Sequence, residues 1–492
     1  MDYLDPKKRL QHTIILYIGY VLIGIAILIG TIVLVYQAYG FGVDKNGTVI
    51  QNGIVFFSSQ PSSANIYING KLNKSKTNTR LSLPSNIYNV ELQRTGYDSW
   101  KRTINVEGGK ILSFDYPLLI PSKLTTTKLA TYDSAPSLAT QSPDRRWIVV
   151  AKAGSLAEFD VYDTRDIAKA PVTISLPAGI LTAATTSQSL ELSEWSADNS
   201  HLILKHHYDT KTEYILLDRE QPEQSQNLTQ AIGTPFSELT LIDRKYDQYY
   251  VYDSTGQTLS KATLKEPTPK PYLTKVLAYH SYSDNTVLYA TPSVSDKGLV
   301  AIKVLDGDTT YNIRTEPAGT TYLLDLTKFE NKLYVVAGAS SDNRVFIYKD
   351  PLGQVNATTN KAATPLQVLR VKQANYISFS SNTQYVMVEN GNEFAVYDIK
   401  VGSGYNYVTK PSLDAPQLHA SWMDGNRITY VSGSKQVIFD YDNSNAHSLT
   451  ASGPAYSSFF TRQYNVMLTL APADKAGAYD LLQTPLLTPA DR

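Results

Sequence analysis

Histidine, the side chain best suited to acid–base and metal chemistry near neutral pH, occurs only seven times in this chain of 492 residues. The seven histidines are His12, His201, His206, His207, His280, His419 and His447, which neither repeat nor cluster along the sequence. His206 and His207 are adjacent, so on a strand they point to opposite faces and cannot easily share one metal ion. That alternation reads as one ring inside and one outside. Cysteine is absent, which excludes disulfides, thiolate metal sites and thiol nucleophiles. There is no G-x-S-x-G elbow, no H-E-x-x-H and no G-x-x-x-x-G-K-[S/T] loop. Asp440-Tyr441-Asp442-Asn443-Ser444-Asn445 has the acids of a calcium loop but lacks its central Gly and terminal bidentate Glu. It reads as a turn, like Asp306-Gly307-Asp308, because Asx side chains bond local turn amides. The expectation is therefore no catalytic, cofactor-binding or metal-ligating residue and no cofactor.

The element that places everything else is the uncharged run 13–36, TIILYIGYVLIGIAILIGTIVLVY. A helix of about 23 residues rises roughly 35 Å, enough to cross a bilayer's hydrocarbon core. Lys7, Lys8 and Arg9 precede it and the first charge after it is Asp44, so the positive-inside rule keeps the N-terminus cytoplasmic. The run exceeds the usual apolar region of a cleaved signal peptide, and the exit 37–42 offers a poor cleavage site. The expectation is a retained single-pass anchor in a cell membrane, with a cytoplasmic tail over 1–12 and everything beyond about residue 40 outside. Residues 37–53, rich in Gly and Asn, read as a flexible stalk.

Acidic and basic residues balance at 45 each, so no global field draws the chain to nucleic acid. Thirty-five tyrosines, with abundant Thr, Ser and Val, favour strands. No segment after the anchor sustains a helical period, and the class is an all-β ectodomain behind one transmembrane helix.

Residues 54–121 alternate as short strands. Ala64 to Ile68 alternates strictly and runs into Asn69-Gly70, a strong type I′ hairpin signal. Six or so strands in this length make a small β-sandwich. The order Ser59-x-Pro61-Ser62-Ser63-Ala64, Ile66-x-Ile68-Asn69-Gly70-Lys71, Thr77, Tyr88-x-Val90 and Gly96-Tyr97-x-x-Trp100 resembles the PEGA domain. Ser62-Ser63 stand where that family has Glu-Gly, Asn78 where a Pro is usual and Ser85 where a turn Gly is common. These departures touch turns rather than core positions. The resemblance implies a small sandwich of microbial surface proteins, an accessory or spacer module with no active site to carry over. Tyr88, Tyr97 and Trp100 read as core and edge packing.

Residues 124–486 repeat. An apolar strand ending in an acid recurs at Asp163, Asp218, Asp253, Asp306, Asp350, Asp398, Asp440 and Asp480, about 45 residues apart, a spacing typical of propeller blades. Several copies are led by a Ser or Trp-Ser, a polar turn and an apolar strand, as in 142–150, 195–204, 380–388 and 422–430. That order resembles WD40-like and TolB-type blades and implies a seven- or eight-bladed β-propeller. Periodic acids point to a structural role, since a catalytic site would break the symmetry. Leu486 to Arg492 reads as a loose tail (487–492).

Two functions follow from these parts. The first is a non-enzymatic, membrane-anchored envelope or surface protein, with the sandwich as spacer and the propeller binding an envelope protein or glycan through loops on one rim. The second is an envelope enzyme, a hydrolase or lyase, with its site in the propeller channel. The loops singled out are Ala178 to Ser189, Lys265 to Lys275 and Asn356 to Pro365. Tyr405 and Tyr407 are either exposed rings in a turn or the start of an outer strand.

Overall fold

The structure, a computed structural model, describes residues 6–38, 41–43, 49–185, 187–319, 321–355, 362–410, 412–415 and 418–491. It divides into two compact units, 1–123 with 487–492, and 124–486.

In the first unit the helix spans Pro6–Ala38, wider than the apolar run at both ends. Its stretch Leu10–Tyr36, 27 residues with none of it buried, is long and apolar enough to cross a membrane. The presumed stalk shortens. Strand Phe41–Val43 pairs antiparallel with Val49–Phe57, so 49–53 belong to the sandwich. Gly53 is required there, because a Cβ would lie 2.6 Å from the Glu107 carbonyl oxygen and 2.7 Å from Val106. Gly40, Asn46 and Gly47 lie outside the described residues.

Two four-stranded sheets make the sandwich. Val49–Phe57 sits between Thr79–Pro84 and Ile111–Phe114, and Asn65–Ile68 lies between Lys71–Lys76 and Asn86–Gln93, which continues to Trp100–Val106. Val55, Phe57, Ile66, Leu92 and Trp100 are buried between them, and Tyr97 joins that core. The aromatics are packing, as their spacing suggests. The last residues are not loose. Pro489–Asp491 forms a 3-10 turn, the Thr488 amide donates to the Tyr97 hydroxyl at 2.8 Å, and that hydroxyl donates to Asp491 at 2.9 Å. Arg94 also pairs with Asp491. The Arg94 hydrogen bond, the leading cause, holds the Asp491 carboxyl below the usual range.

The second unit is a ring of eight four-stranded sheets. Blades 1 to 7 run in chain order over 139–175, 188–227, 238–274, 278–317, 322–370, 376–408 and 421–451. Blade 8 takes three strands from 459–485 and its outermost strand, Thr127–Tyr132, from the start of the unit. That exchange closes the ring by fastening the start of the unit to its end. The count is eight. The second strand of each blade is mostly buried, as is the third in most blades, and neighbouring blades share cores such as that joining Leu204 and Trp195 to Val149 and Phe159.

The repeated acid marks a real position in most blades. Asp163, Asp218, Asp306, Asp398 and Asp440 end third strands opposite the first residue of the second strand. Donors there hold them: Arg146 to Asp163 at 3.0 Å, Thr286 to Asp306 at 2.9 Å and Gln384 to Asp398 at 3.1 Å. Lys332 reaches Asp350 in the same way at 2.8 Å. Asp253 and Asp480 differ. Asp253 ends the second strand of blade 3, and Asp480 lies near the start of strand Tyr479–Pro485. Second and third strands are equally apolar, so an aromatic–acid ending alone does not tell them apart.

Candidate functional site: histidine–carboxylate pairs of the propeller

Scattered in sequence, the histidines acquire carboxylates in the fold. His201 lies between Asp198 at 2.7 Å and Asp218 at 3.3 Å, with Tyr246 stacked 3.7 Å away. His206 meets Glu213 at 2.8 Å, His207 meets Glu191 at 3.3 Å and His280 meets Asp325 at 3.4 Å. His419 meets Glu389 at 2.9 Å. Among the described residues, no group of three or more His, Asp or Glu side chains could hold a metal ion.

Most of these pairs are internal fasteners. His206 is fully buried while His207 is 40% exposed, as strand alternation requires. His206 Nδ1 meets Glu213 and Nε2 meets the Gln188 amide at 2.8 Å, so both ring nitrogens are occupied. Glu213 also accepts from the Thr182 amide at 2.8 Å, the Thr182 hydroxyl at 2.6 Å and the Asn227 amide at 2.8 Å. Burial alone would raise the Glu213 carboxyl, but these hydrogen bonds overcome it and hold the group below its ordinary value. The network thus pins the link between blades 1 and 2. His201, with both nitrogens engaged, takes the place that Arg146, Thr286 and Gln384 fill in other blades.

Glu389 and His419 are arranged differently. Tyr385–Glu389 is a wholly buried strand that ends in this acid. The carboxyl accepts from the Gly391 and Ala420 amides and from His419 Nδ1. The ring stacks on Tyr376 with centroids 4.3 Å apart, and the His419 backbone is held at φ 51°, a conformation costly for most side chains. A carboxylate only accepts, so Nδ1 carries a proton, and in the neutral ring Nε2 is the lone-pair nitrogen. The side chain is 26% exposed, and Nε2 has no protein partner among the described residues.

His419 borders a small pocket of about 20 Å³ with Ser421, Ser457 and Ser458. Ser421, Ser457 and Ser458 also line a larger recess of about 630 Å³, together with Gln141, Arg145 and Trp422. Antiparallel strands alternate in direction, so links between blades and second-to-third turns share one rim of the ring. His419, Glu389 and Ser457 all lie at that rim. Further around the ring, Glu194 and Asp325 stand on first strands, and burial raises both carboxyls above their ordinary range while His280 counters it.

The loops expected to share one rim do not. Ala178 to Ser189 links blades 1 and 2 at the His419 rim, whereas Lys265 to Lys275 joins third and fourth strands at the opposite one, and Lys270–Thr274 is itself a strand. In Asn356 to Pro365, residues 356–361 lie outside the described residues. Tyr405 and Tyr407 fall on outer strand Ser403–Val408, where Tyr407 stacks on Phe394 and donates to the Tyr441 carbonyl at 3.1 Å. They are strand residues rather than exposed binding rings.

Residues 52–120 match the family model of the PEGA domain. The PEGA domain is therefore the sandwich, and the chain continues from it into a propeller. The Dos1 propeller is similar at 12% identity, covering 73% of this chain and 94% of its own, with a TM-score of 0.46. The β-propeller domain of Myceliophteria thermophila Cps50 (Swd1) shares 14% identity over 66% of this chain and 100% of its own, with a TM-score of 0.38. An oligogalacturonate lyase in complex with manganese shares 11% over 75% of this chain and 99% of its own, with a TM-score of 0.40. These likenesses concern the fold alone. No curated protein matches the chain.

Proposed function

We propose that the protein is a single-pass, membrane-anchored component of the cell envelope whose propeller binds an envelope protein or glycan without chemical turnover. Its N-terminus lies in the cytoplasm and its PEGA domain and propeller lie outside. Lys7, Lys8 and Arg9 before the apolar helix, with no charge until Asp44, support that orientation. The observation that carries the binding role is the recess of about 630 Å³, lined by the polar side chains of Gln141, Arg145 and Ser421 and by the Trp422 ring. Such mixed walls orient a ligand through a few polar contacts while apolar surface supplies affinity. His419 lines the smaller pocket that shares Ser421, Ser457 and Ser458 with this recess.

The enzymatic reading rests on the Glu389–His419 pair, since a carboxylate-oriented imidazole with an open nitrogen is the base half of many hydrolytic sites. Equilibrium binding of envelope oligosaccharides and peptides to the purified full chain, wild type and His419→Asn, separates the two. Binding weakened by the substitution, with bound ligand recovered intact, supports the binding module. Ligand recovered cleaved by wild type and intact from the variant makes the protein an enzyme.

A further inference from the structure

Outside the helix, the exposed large apolar side chains of the described residues include two isoleucines, Ile87 at 61% and Ile111 at 67%. A single exposed apolar residue means little. These two share a location. The PEGA domain's central strand enters with Val49 to Asn52, and Asn52 pairs with Pro84, next to the turn that leads into Ile87. Asn86 pairs with Val106, whose chain turns through 107–110 and emerges at Ile111. The Gly109 amide donates to the Asn52 carbonyl at 3.0 Å, closing this end. Both isoleucines thus stand at the end where the chain arrives from the helix.

The tether is short. Helix Pro6–Ala38 and strand Phe41–Val43 are two residues apart in sequence, and the Tyr36 and Phe41 rings lie 5.0 Å from each other. Charge does not oppose contact with a bilayer here. The 84–87 turn carries none, and Lys110 is paired with Glu107. The PEGA domain as a whole, 54–121, holds eight Lys and Arg against four Asp and Glu, which suits a surface with acidic headgroups.

We propose that this end of the PEGA domain rests on the bilayer crossed by its own helix, with Ile87 and Ile111 inserted at the headgroup level. The inference rests on the anchor reading given above. It makes the PEGA domain a foot seated on the membrane rather than a free spacer.

The cysteine-free chain allows a direct test. The variants Leu28→Cys, Ile87→Cys, Ile111→Cys and Lys76→Cys are each labelled with an environment-sensitive fluorophore. The full chain is reconstituted into vesicles of phosphatidylcholine and phosphatidylglycerol bearing spin-labelled lipids. Lys76 serves as the distant control: it pairs with Asn65, which pairs with Gln93, six residues along the strand from Ile87 and so about 20 Å away. Probes at 87 and 111 are expected to be quenched several-fold more than the probe at 76, most strongly by labels near the headgroup. Replacing both isoleucines with Asp should abolish that excess for a probe at Asn86→Cys. Equal quenching at 76, 87 and 111 with a quenched probe at 28 overturns the foot and leaves the anchor standing. An unquenched probe at 28 overturns the anchor and the foot with it. Probes at 87 and 111 that respond to protein concentration but not to lipid quenchers show a second copy covering this end, which also overturns the proposal.

Discussion

Two histidine–glutamate pairs of the propeller have nearly the same bond and opposite surroundings. His206–Glu213, at 2.8 Å, is sealed inside blade 2 with every ring nitrogen and both carboxylate oxygens occupied. His419–Glu389, at 2.9 Å, has the same buried carboxylate, but its second imidazole nitrogen has no protein partner among the described residues. The pairing chemistry therefore does not distinguish a fastener from a site. What the second nitrogen meets does.

The largest effect should come from emptying the sealed pair. Glu213→Ala strands His206, Thr182 and Asn227 without their acceptor in a dry interior. A loss of about 3–5 kcal/mol in denaturant unfolding is expected. Were it under about 1 kcal/mol, the network would not be what fastens blades 1 and 2.

Acid should reveal the same pair. The folded Glu213 carboxyl sits below its ordinary value, so its stabilisation is complete above about pH 4.3 and drains as pH falls through the lowered folded value. Wild type should lose melting temperature over that range more steeply than Glu213→Gln. Parallel curves would contradict the assignment.

Emptying the open pair should cost less. Glu389→Ala leaves the buried Gly391 and Ala420 amides without their acceptor beside a ring that is itself 26% exposed, for about 1–3 kcal/mol. The smallest stability change belongs to His419→Asn, because Asn tolerates the left-handed backbone that His419 adopts. A shift within about 1 kcal/mol is expected in unfolding, with at least about tenfold weaker binding of any ligand held in the recess.

The contrast also shows where the sequence speaks and where it is silent. The apolar helix, the PEGA domain and the blades were legible because apolar runs, the Asn69-Gly70 turn and a recurring acid are local signals. The stalk was overdrawn because Gly and Asn signal flexibility, whereas Gly53 is there for a close backbone approach. The sealed pair was within reach: a turn at Asp209-Thr210 sets His206 opposite Glu213 in a hairpin. The open pair was not, because His419 sits in a link between blades and reaches an acid 30 residues back. One sign of it existed in Glu389, a lone acid closing the otherwise apolar Tyr385-Val386-Met387-Val388. The blade count also lay beyond pattern, since blade 8 is completed by a strand more than 300 residues earlier in the chain.

The central claim, that the two pairs differ in what their second nitrogen meets, is tested most directly by long-range proton–nitrogen correlation spectra of the chain labelled with nitrogen-15 histidine. Single His206→Gln and His419→Asn substitutions assign the two rings. The expected result is a His419 ring protonated at Nδ1 and bare at Nε2, broadened by a soluble paramagnetic probe, beside a His206 ring that the probe does not reach. A His419 ring equally shielded, or protonated at Nε2 and bare at Nδ1, would contradict the account.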